Sequence, residues 1–516
     1  MPSKQFTLKY GKGDISFEIP AVEVADVVTG RDVNALGDLP GAYLHALDHP
    51  IDSAPLRYMV KPGETVAVIV SDITRTWQRN DLTLPLLLDY LNGAGIPDDH
   101  VTVIIAVGGH RQNTAAEFEE ICGRSVCHRV KVVNHRAWET DHMVPVGRTR
   151  RGTRVAINKI ASEADRIILT GGVVYHYMVG YGGGRKSVIP GFCALETIKQ
   201  NHLWVLGTEV GSGTNPACAS GSTQGNPLHE DMMEIAALVR PDFLVNIVPN
   251  LDGQIAGVFA GNWASAWWEA TRRVDHIFGV PIAGETDIVI ATAGGYPRDI
   301  NLYQTGKTMD NAGYAMRPGG VAIILSECSQ VRDPETFFKW FGYPSNRDLD
   351  VALRECFHLD GWVALKQLEC NTKGLFILVT LPQNAEALKP TGFTVCAGIE
   401  EALKPLGISR ETRPFHPHLS LGRNKAGGDF QAKADPLPPF LINVPGRHLQ
   451  IGGDQRARGQ EDLLPMSQRM GEISLDGAGH HLPRRLQGQA EASACLETGG
   501  KSQLHPVMPH PFFPQI

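Results

Sequence analysis

Seven short apolar runs constrain this chain more than any other feature of it. They are TVAVIV at 65–70, VTVIIAV at 101–107, RIILT at 166–170, FLVNIV at 243–248, DIVIAT at 287–292, VAIIL at 321–325 and LFILVTL at 375–381. A strand that is apolar at nearly every position is buried on both faces, as in a mainly parallel sheet covered by helices. Helix-capable stretches such as DLTLPLLLDYLNGAG and NTAAEFEEICG lie between the runs. Strands alternating with helices predict an α/β fold.

At 516 residues the chain is too long for one ordinary domain. The expected division is a first α/β domain over 1–270, a second over 271–408 and a tail over 409–516. No Tyr or Trp follows Trp362, and the tail is broken by PLPP, GGD and GAGHHLPRR, so it is expected to be poorly ordered or atypical. The charge balance, 48 basic against 55 acidic side chains, supplies no broad field for nucleic acid. No apolar run reaches the length of a membrane span, and the first twenty residues show no signal-peptide pattern. Nine cysteines without a paired metal spacing are expected to be mostly free. A cytoplasmic protein without nucleic-acid or membrane partners is the expectation.

Polar residues follow several of the strands, at the edge where open α/β sheets bind ligands. In SDITR, Asp72, Thr74 and Arg75 leave the first strand. A hydroxyl and backbone amides there can hold a phosphate, and the planar fork of Arg75 can grip a phosphate or carboxylate. A helix cap with a salt bridge would use the same residues. In VGGHR, His110 leaves the second strand, where an imidazole can exchange a proton near neutral pH. The richest stretch is YHYMVGYGGGRKSVIPG, which places His176 and four glycines ahead of Arg185 and Lys186. Glycines permit close backbone approach, and both adjacent cations are expected to neutralise an anionic ligand. Neither GxGxxG nor a phosphate-loop GK[ST] order is present. The stretch from Cys193 to Trp204 reads as a helix with His202 near its end, where it could ligate a transition metal whose other ligands come from elsewhere. In GGYPRDINLYQTGK, Tyr303 and Lys307 share a helix face with Gln304 beside them, a set suited to a carboxylate. Trp362 reads as core or pocket wall. Asn226, His229 and Glu230 begin a helix and have no evident role.

The joint order of SDITR, VGGHR, YH with GYGGGRKSVIPG, NH at 201–202 and GGYPRDINLYQTGK resembles the nickel-dependent lactate racemase family over roughly residues 8–405. The resemblance implies two α/β domains with the active site in the cleft between them, and racemisation or epimerisation of a 2-hydroxy acid. It implies nickel and a nickel pincer nucleotide (pyridinium-3-thioamide-5-thiocarboxylic acid mononucleotide) covalently attached to Lys186, made by separate cofactor-biosynthesis enzymes. His202 would bind the nickel, which Lys186 reaches only through the tethered cofactor. His110 and His176 would be the paired acid and base, joined in catalysis by Lys307. Asp72, Thr74, Arg75, Gln304 and Trp362 would lie near the cofactor, and Arg75, Tyr303 and Lys307 near the substrate. Arg298 is a candidate for a second substrate carboxylate. The alternatives are a nicotinamide-dependent 2-hydroxy-acid dehydrogenase and a non-catalytic cofactor-binding protein of the same fold.

Overall fold

The computed structural model describes residues 2–406, 440–443 and 449–451, all within the compact unit Met1–Gly452. Each of the seven apolar runs forms a strand, and together they supply most of two six-stranded sheets. In the first sheet the order is Ile255–Gly261, Phe243–Pro249, Arg166–Gly172, Val66–Ser71, Val101–Ala106 and Lys131–Asn134. All neighbours are parallel except the first pair. In the second sheet the order is Thr394–Cys396, Leu375–Val379, Met316–Leu325, Thr286–Thr292, Phe440–Asn443 and Val24–Val28, and every pair is parallel.

The period of two along each strand explains why the runs are apolar throughout. Val66, Val68 and Val70 pack with Leu84, Leu87 and Leu88 of helix Asn80–Gly93 on one face. Ala67 and Ile69, between them, enter the core on the opposite face with Leu169 and Val188. The second sheet repeats the pattern: Ile288, Ile290, Ile323 and Leu325 face one cluster, and Val289, Ala291, Ala322 and Ile324 face the other. Burying one such side chain contributes about 1.5–3 kcal/mol, so a polar residue at any of these positions would be costly.

The first expected domain begins at residue 1, but the opening residues pack elsewhere. The hairpin Ser3–Tyr10 and Gly13–Pro20 places Phe6, Leu8, Phe17 and Ile19 against Ile288, Ile290 and Ile323, and Val24–Val28 borders the second sheet. These residues alternate apolar with polar, so they need one covered face, and the second sheet supplies it. Most of 409–516 lies outside the described residues. Within that stretch, the backbone of Phe440–Asn443 pairs between Thr286–Thr292 and Val24–Val28, and Leu449–Ile451 pairs with Val280–Ile282.

The eight cysteines among the described residues are free. Among the described residues no helix is long and apolar enough to cross a membrane.

Candidate active site

Asp72 directly follows strand Val66–Ser71 and caps the short turn Ile73–Gln78. Its side chain is 2% exposed. One carboxylate oxygen accepts from the Thr74 backbone N–H at 3.2 Å, the Thr74 hydroxyl at 2.5 Å and Arg75 Nη1 at 3.0 Å. The other is 2.6 Å from His110 Nδ1. Burial alone would raise the Asp72 pKa, but the charge of Arg75 and the bond to His110 outweigh it and hold the carboxyl well below its usual range. A carboxylate can only accept, so His110 presents Nδ1–H to it and leaves Nε2 open. The His110 side chain remains 40% exposed. Thr74 is absorbed in this network: its hydroxyl donates to Asp72 and accepts from Arg75 Nη1 at 2.9 Å.

The loop carrying His110 is pressed against the Pro190–Gly191 turn. Gly108 has φ +57°, its N–H donates to the Gly191 carbonyl at 3.0 Å, and a Cβ there would lie 3.0 Å from Pro190. Glycine alone fits both the left-handed backbone and the close approach.

His176 lies in a two-residue ladder, Tyr175–His176 against Gly180–Tyr181. The Met178 backbone N–H donates to His176 Nδ1 at 3.3 Å, and His176 Nε2 is 2.9 Å from Lys186 Nζ. Lys186 belongs to the turn Gly184–Ser187, reached through Gly183 and Gly184, both in the left-handed region. A Cβ on Gly184 would collide with Trp267 at 2.5 Å, while its N–H donates to Asn246 Oδ1 at 2.9 Å. Burial lowers the proton affinity of Lys186 far below that of a free lysine; Arg75, Arg185 and Lys307 add to this, and Asp72 opposes them. His176 is lowered for the same reasons, burial first and then Lys186, Arg75, Lys307 and Arg185.

Arg185 departs from its sequence expectation. It is 0% exposed, donates to the carbonyls of Tyr181 at 2.8 Å and Val179 at 2.6 Å, and lies 4.0 Å over the Trp267 ring. It braces the glycine loop from within, so of the two adjacent cations only Lys186 joins the site. The weakly hydrated, planar guanidinium suits such a stacked, carbonyl-lined position better than an ammonium would.

His202 ends helix Leu195–His202. Its Nδ1 donates to the Ile198 carbonyl at 2.9 Å, which leaves Nε2 with a lone pair. Burial, and then Lys186, push its pKa down to about 4, so the ring is neutral at physiological pH. The neighbouring Asn201 donates to buried Asp231 at 2.9 Å, which also accepts from the hydroxyls of Thr149 at 2.6 Å and Thr153 at 2.8 Å. Those bonds fix the end of the helix and hence the aim of His202. Among the described residues no group of three or more His, Cys, Asp or Glu side chains could hold a metal ion.

The remaining members come from two helices. Asn301 caps helix Leu302–Ala315 by accepting from the Gln304 N–H at 2.9 Å. Lys307 Nζ donates to Gln304 Oε1 at 2.8 Å, and burial followed by the charge of Arg75 pushes its pKa down to about 8. The Tyr303 ring meets Phe337 edge-on at 5.2 Å. Trp362, in helix Leu359–Lys373, is fully buried with its indole N–H unpartnered among the described residues. Its ring lies 5.2 Å from that of Tyr177, which in turn is 5.4 Å from His176. Tyr177 therefore joins the glycine loop to Trp362. The only sequence signal for it is its place between His176 and Met178. Asn226 also gains a role, because it caps helix Pro227–Val239 and donates to the Met178 carbonyl at 3.0 Å, steadying the residue that touches His176. His229, by contrast, stacks on Trp267 at 5.5 Å in the core. Arg298 sits partly buried in the loop ahead of helix Leu302–Ala315.

Among the described residues, Arg75, Lys186 and Lys307 thus stand against the carboxylate of Asp72 around two histidines, an arrangement suited to an anionic ligand and proton exchange. The family model described as Lactate racemase N-terminal domain matches residues 10–213, and that described as Lactate racemase C-terminal domain matches 282–406. The chain belongs to the lactate racemase family. Lactate racemase of Thermoanaerobacterium thermosaccharolyticum is 30% identical over 407 residues, which span 77% of this chain and 93% of that protein. Lactate racemase of Lactiplantibacillus plantarum is 33% identical over 293 residues, 57% of this chain and 67% of that one. The solved lactate racemase apoprotein of T. thermosaccharolyticum superposes with TM-score 0.73 at 27% identity, covering 87% of this chain and all of its own. A Thermotoga maritima protein, at 17% identity and TM-score 0.52 over 72% of this chain and 93% of its own, shares the fold. The first family segment holds Asp72, His110, His176, Lys186 and His202, and the second holds Tyr303, Gln304, Lys307 and Trp362.

Proposed function

We propose that the protein racemises or epimerises a 2-hydroxy acid, using a nickel pincer nucleotide tethered to Lys186, in a cleft between its two α/β regions. The observation that carries this reading is the Lys186 amine, 2.9 Å from His176 and held far below ordinary lysine basicity, with His202 nearby and its Nε2 lone pair available. The residues fit the cofactor. A nucleophilic amine suits the tether, one neutral imidazole suits a metal whose other ligands the cofactor brings, and the cations suit its phosphate and the substrate's carboxylate.

When bound, the cofactor supplies the acceptor for the hydrogen that leaves the substrate's C2 as hydride. The rest of the work falls to the chain. Arg75 and Lys307 hold the substrate carboxylate, with Gln304 and Tyr303 beside them. One of His110 and His176 would take the 2-hydroxyl proton, and either could return a proton to that oxygen. Two acid–base groups suit the two faces. Tyr177 and Trp362 line the wall and exclude water.

The test is co-expression with the cofactor-biosynthesis enzymes, then intact mass, nickel content and a chiral assay across 2-hydroxy acids. A covalent mass increment, bound nickel and stereochemical exchange without net redox are expected. Lys186→Ala should lose the increment and the exchange together. Net oxidation of substrate with reduction of free nicotinamide, or full activity in Lys186→Ala, would overturn the proposal.

A further inference from the structure

We infer that His176 acts before any substrate is turned over. In the chain that has not received its cofactor it is a positioning residue that keeps Lys186 as a free amine, poised to attack an acyl carbon. This rests on the reading of Lys186 as the tether. The argument starts from the hydrogen bonds. A backbone N–H can only donate, so the Met178 N–H at 3.3 Å requires a lone pair on His176 Nδ1. A neutral imidazole carries one N–H, which must then be on Nε2, the atom 2.9 Å from Lys186 Nζ. An ammonium has three N–H groups and no lone pair, so it would meet Nε2–H donor against donor. The pairing closes only if Lys186 is an amine that accepts.

The other groups acting on Lys186 favour the same state. Arg75 from the first strand-end turn, Arg185 from its own turn and Lys307 from helix Leu302–Ala315 are cationic, and Asp72 opposes them. His202, held neutral chiefly by burial, adds no charge of its own beside Lys186.

The amine suits a thiocarboxylate carbon. Its lone pair forms the C–N bond, the carbon–oxygen bond breaks, and the oxygen leaves with an amine proton as hydroxide. The sulfur stays on carbon and no electrons change hands. The nitrogen of the resulting thioamide is delocalised and accepts poorly. His176 Nε2–H then loses its acceptor and is released to face a substrate oxygen, so attachment itself would commission His176 for acid–base work.

The test uses the full chain made without cofactor-biosynthesis enzymes. It is pulsed with acetic anhydride near neutral pH, and acetylation of Lys186 is measured by peptide mass spectrometry against exposed Lys61. His176→Leu should lower Lys186 acetylation about tenfold, the worth of one hydrogen bond to the amine. His176→Gln, which keeps an N–H donor, should stay within about threefold of the original. The melting transition checks that each variant folds. His176→Asn, too short to reach Nζ, carries the same expectation if His176→Leu does not fold. The covalent mass increment after co-expression should accumulate more slowly in the Leu variant and be restored in the Gln variant. Equal acetylation in wild type, His176→Leu and His176→Asn would overturn the inference. A wild-type increment that forms just as fast in the Leu variant would also overturn it. A wild-type chain with no increment, but with the acetylation pattern above, would instead sink the tether reading and leave the inference about the amine standing.

Discussion

Around Asp72, the protein completes its own hydrogen bonding: Thr74, Arg75 and His110 all bond to a carboxylate that is 2% exposed. Around Lys186, cations crowd a partly buried amine, and its close partner is the histidine His176. Both pockets sit on loops leaving the same mainly parallel sheet, and each holds one of the two candidate acid–base histidines. The difference teaches that one imidazole is oriented by a buried carboxylate of the chain, whereas the other sits where cations outnumber the one carboxylate, Asp72, that opposes them at Lys186.

Exchanging Asp72 for Asn strikes the self-sufficient pocket. The amide can no longer act as a charged acceptor for Nδ1–H, so His110 loses its fixed tautomer. A fall in kcat of about 10³-fold or more is expected, as for other orienting carboxylates. A chiral assay on cofactor-loaded protein measures it, and a fall under about tenfold would break the contrast. Next in size is Lys307→Met, which would remove the charge-assisted bond proposed between Lys307 and the substrate's carboxylate. Such a bond is worth about 1.5–3 kcal/mol, or about 10- to 150-fold, expressed mainly in KM. The same residue gives a pH dependence. Its pKa is lowered to about 8, so it is charged below that pH and neutral above it. KM should therefore rise about tenfold per pH unit beyond that point, while Lys307→Met shows no such rise. The smallest effect on chemistry belongs to Arg185→Ala. It should lower unfolding stability by about 2–4 kcal/mol in urea titrations, through lost carbonyl bonds and ring contact. The mass increment on Lys186 should persist. Loss of the increment in a folded Arg185→Ala chain would move Arg185 into the ligand site.

The local part of this architecture is legible in the sequence. Continuous Val/Ile runs mark strands because both faces of each sheet are covered, and Tyr303 and Lys307 share a helix because one turn separates them. Asp72, His110 and Lys186 stand out because each follows a strand or a glycine cluster. The inward turn of Arg185 is not legible, because its neighbour Lys186 has the same charge and the loop's curl leaves no local pattern. The roles of Asp231, Asn226 and Tyr177 depend on partners far away in the chain: Thr149 and Asn201, Met178, and Trp362. For the opening hairpin, sequence adjacency points to the first domain, whereas its apolar face is complementary to a sheet formed much later.

That last placement bears on how the protein is made. Phe6, Leu8, Phe17 and Ile19 leave the ribosome ahead of Ile288, Ile290 and Ile323, which cover them and follow roughly 270 residues later. At about 5–20 residues per second the hairpin waits roughly 15–50 s for its partner. The first sheet, drawn wholly from residues 66–261, can assemble in the interval. Nascent chains stalled near residue 280 should therefore be cut by protease within the first twenty residues while 66–261 resists, and equal protection of both would contradict this order. An apolar hairpin face thus stays uncovered until those residues are made, so this hairpin is a place where a chaperone would act.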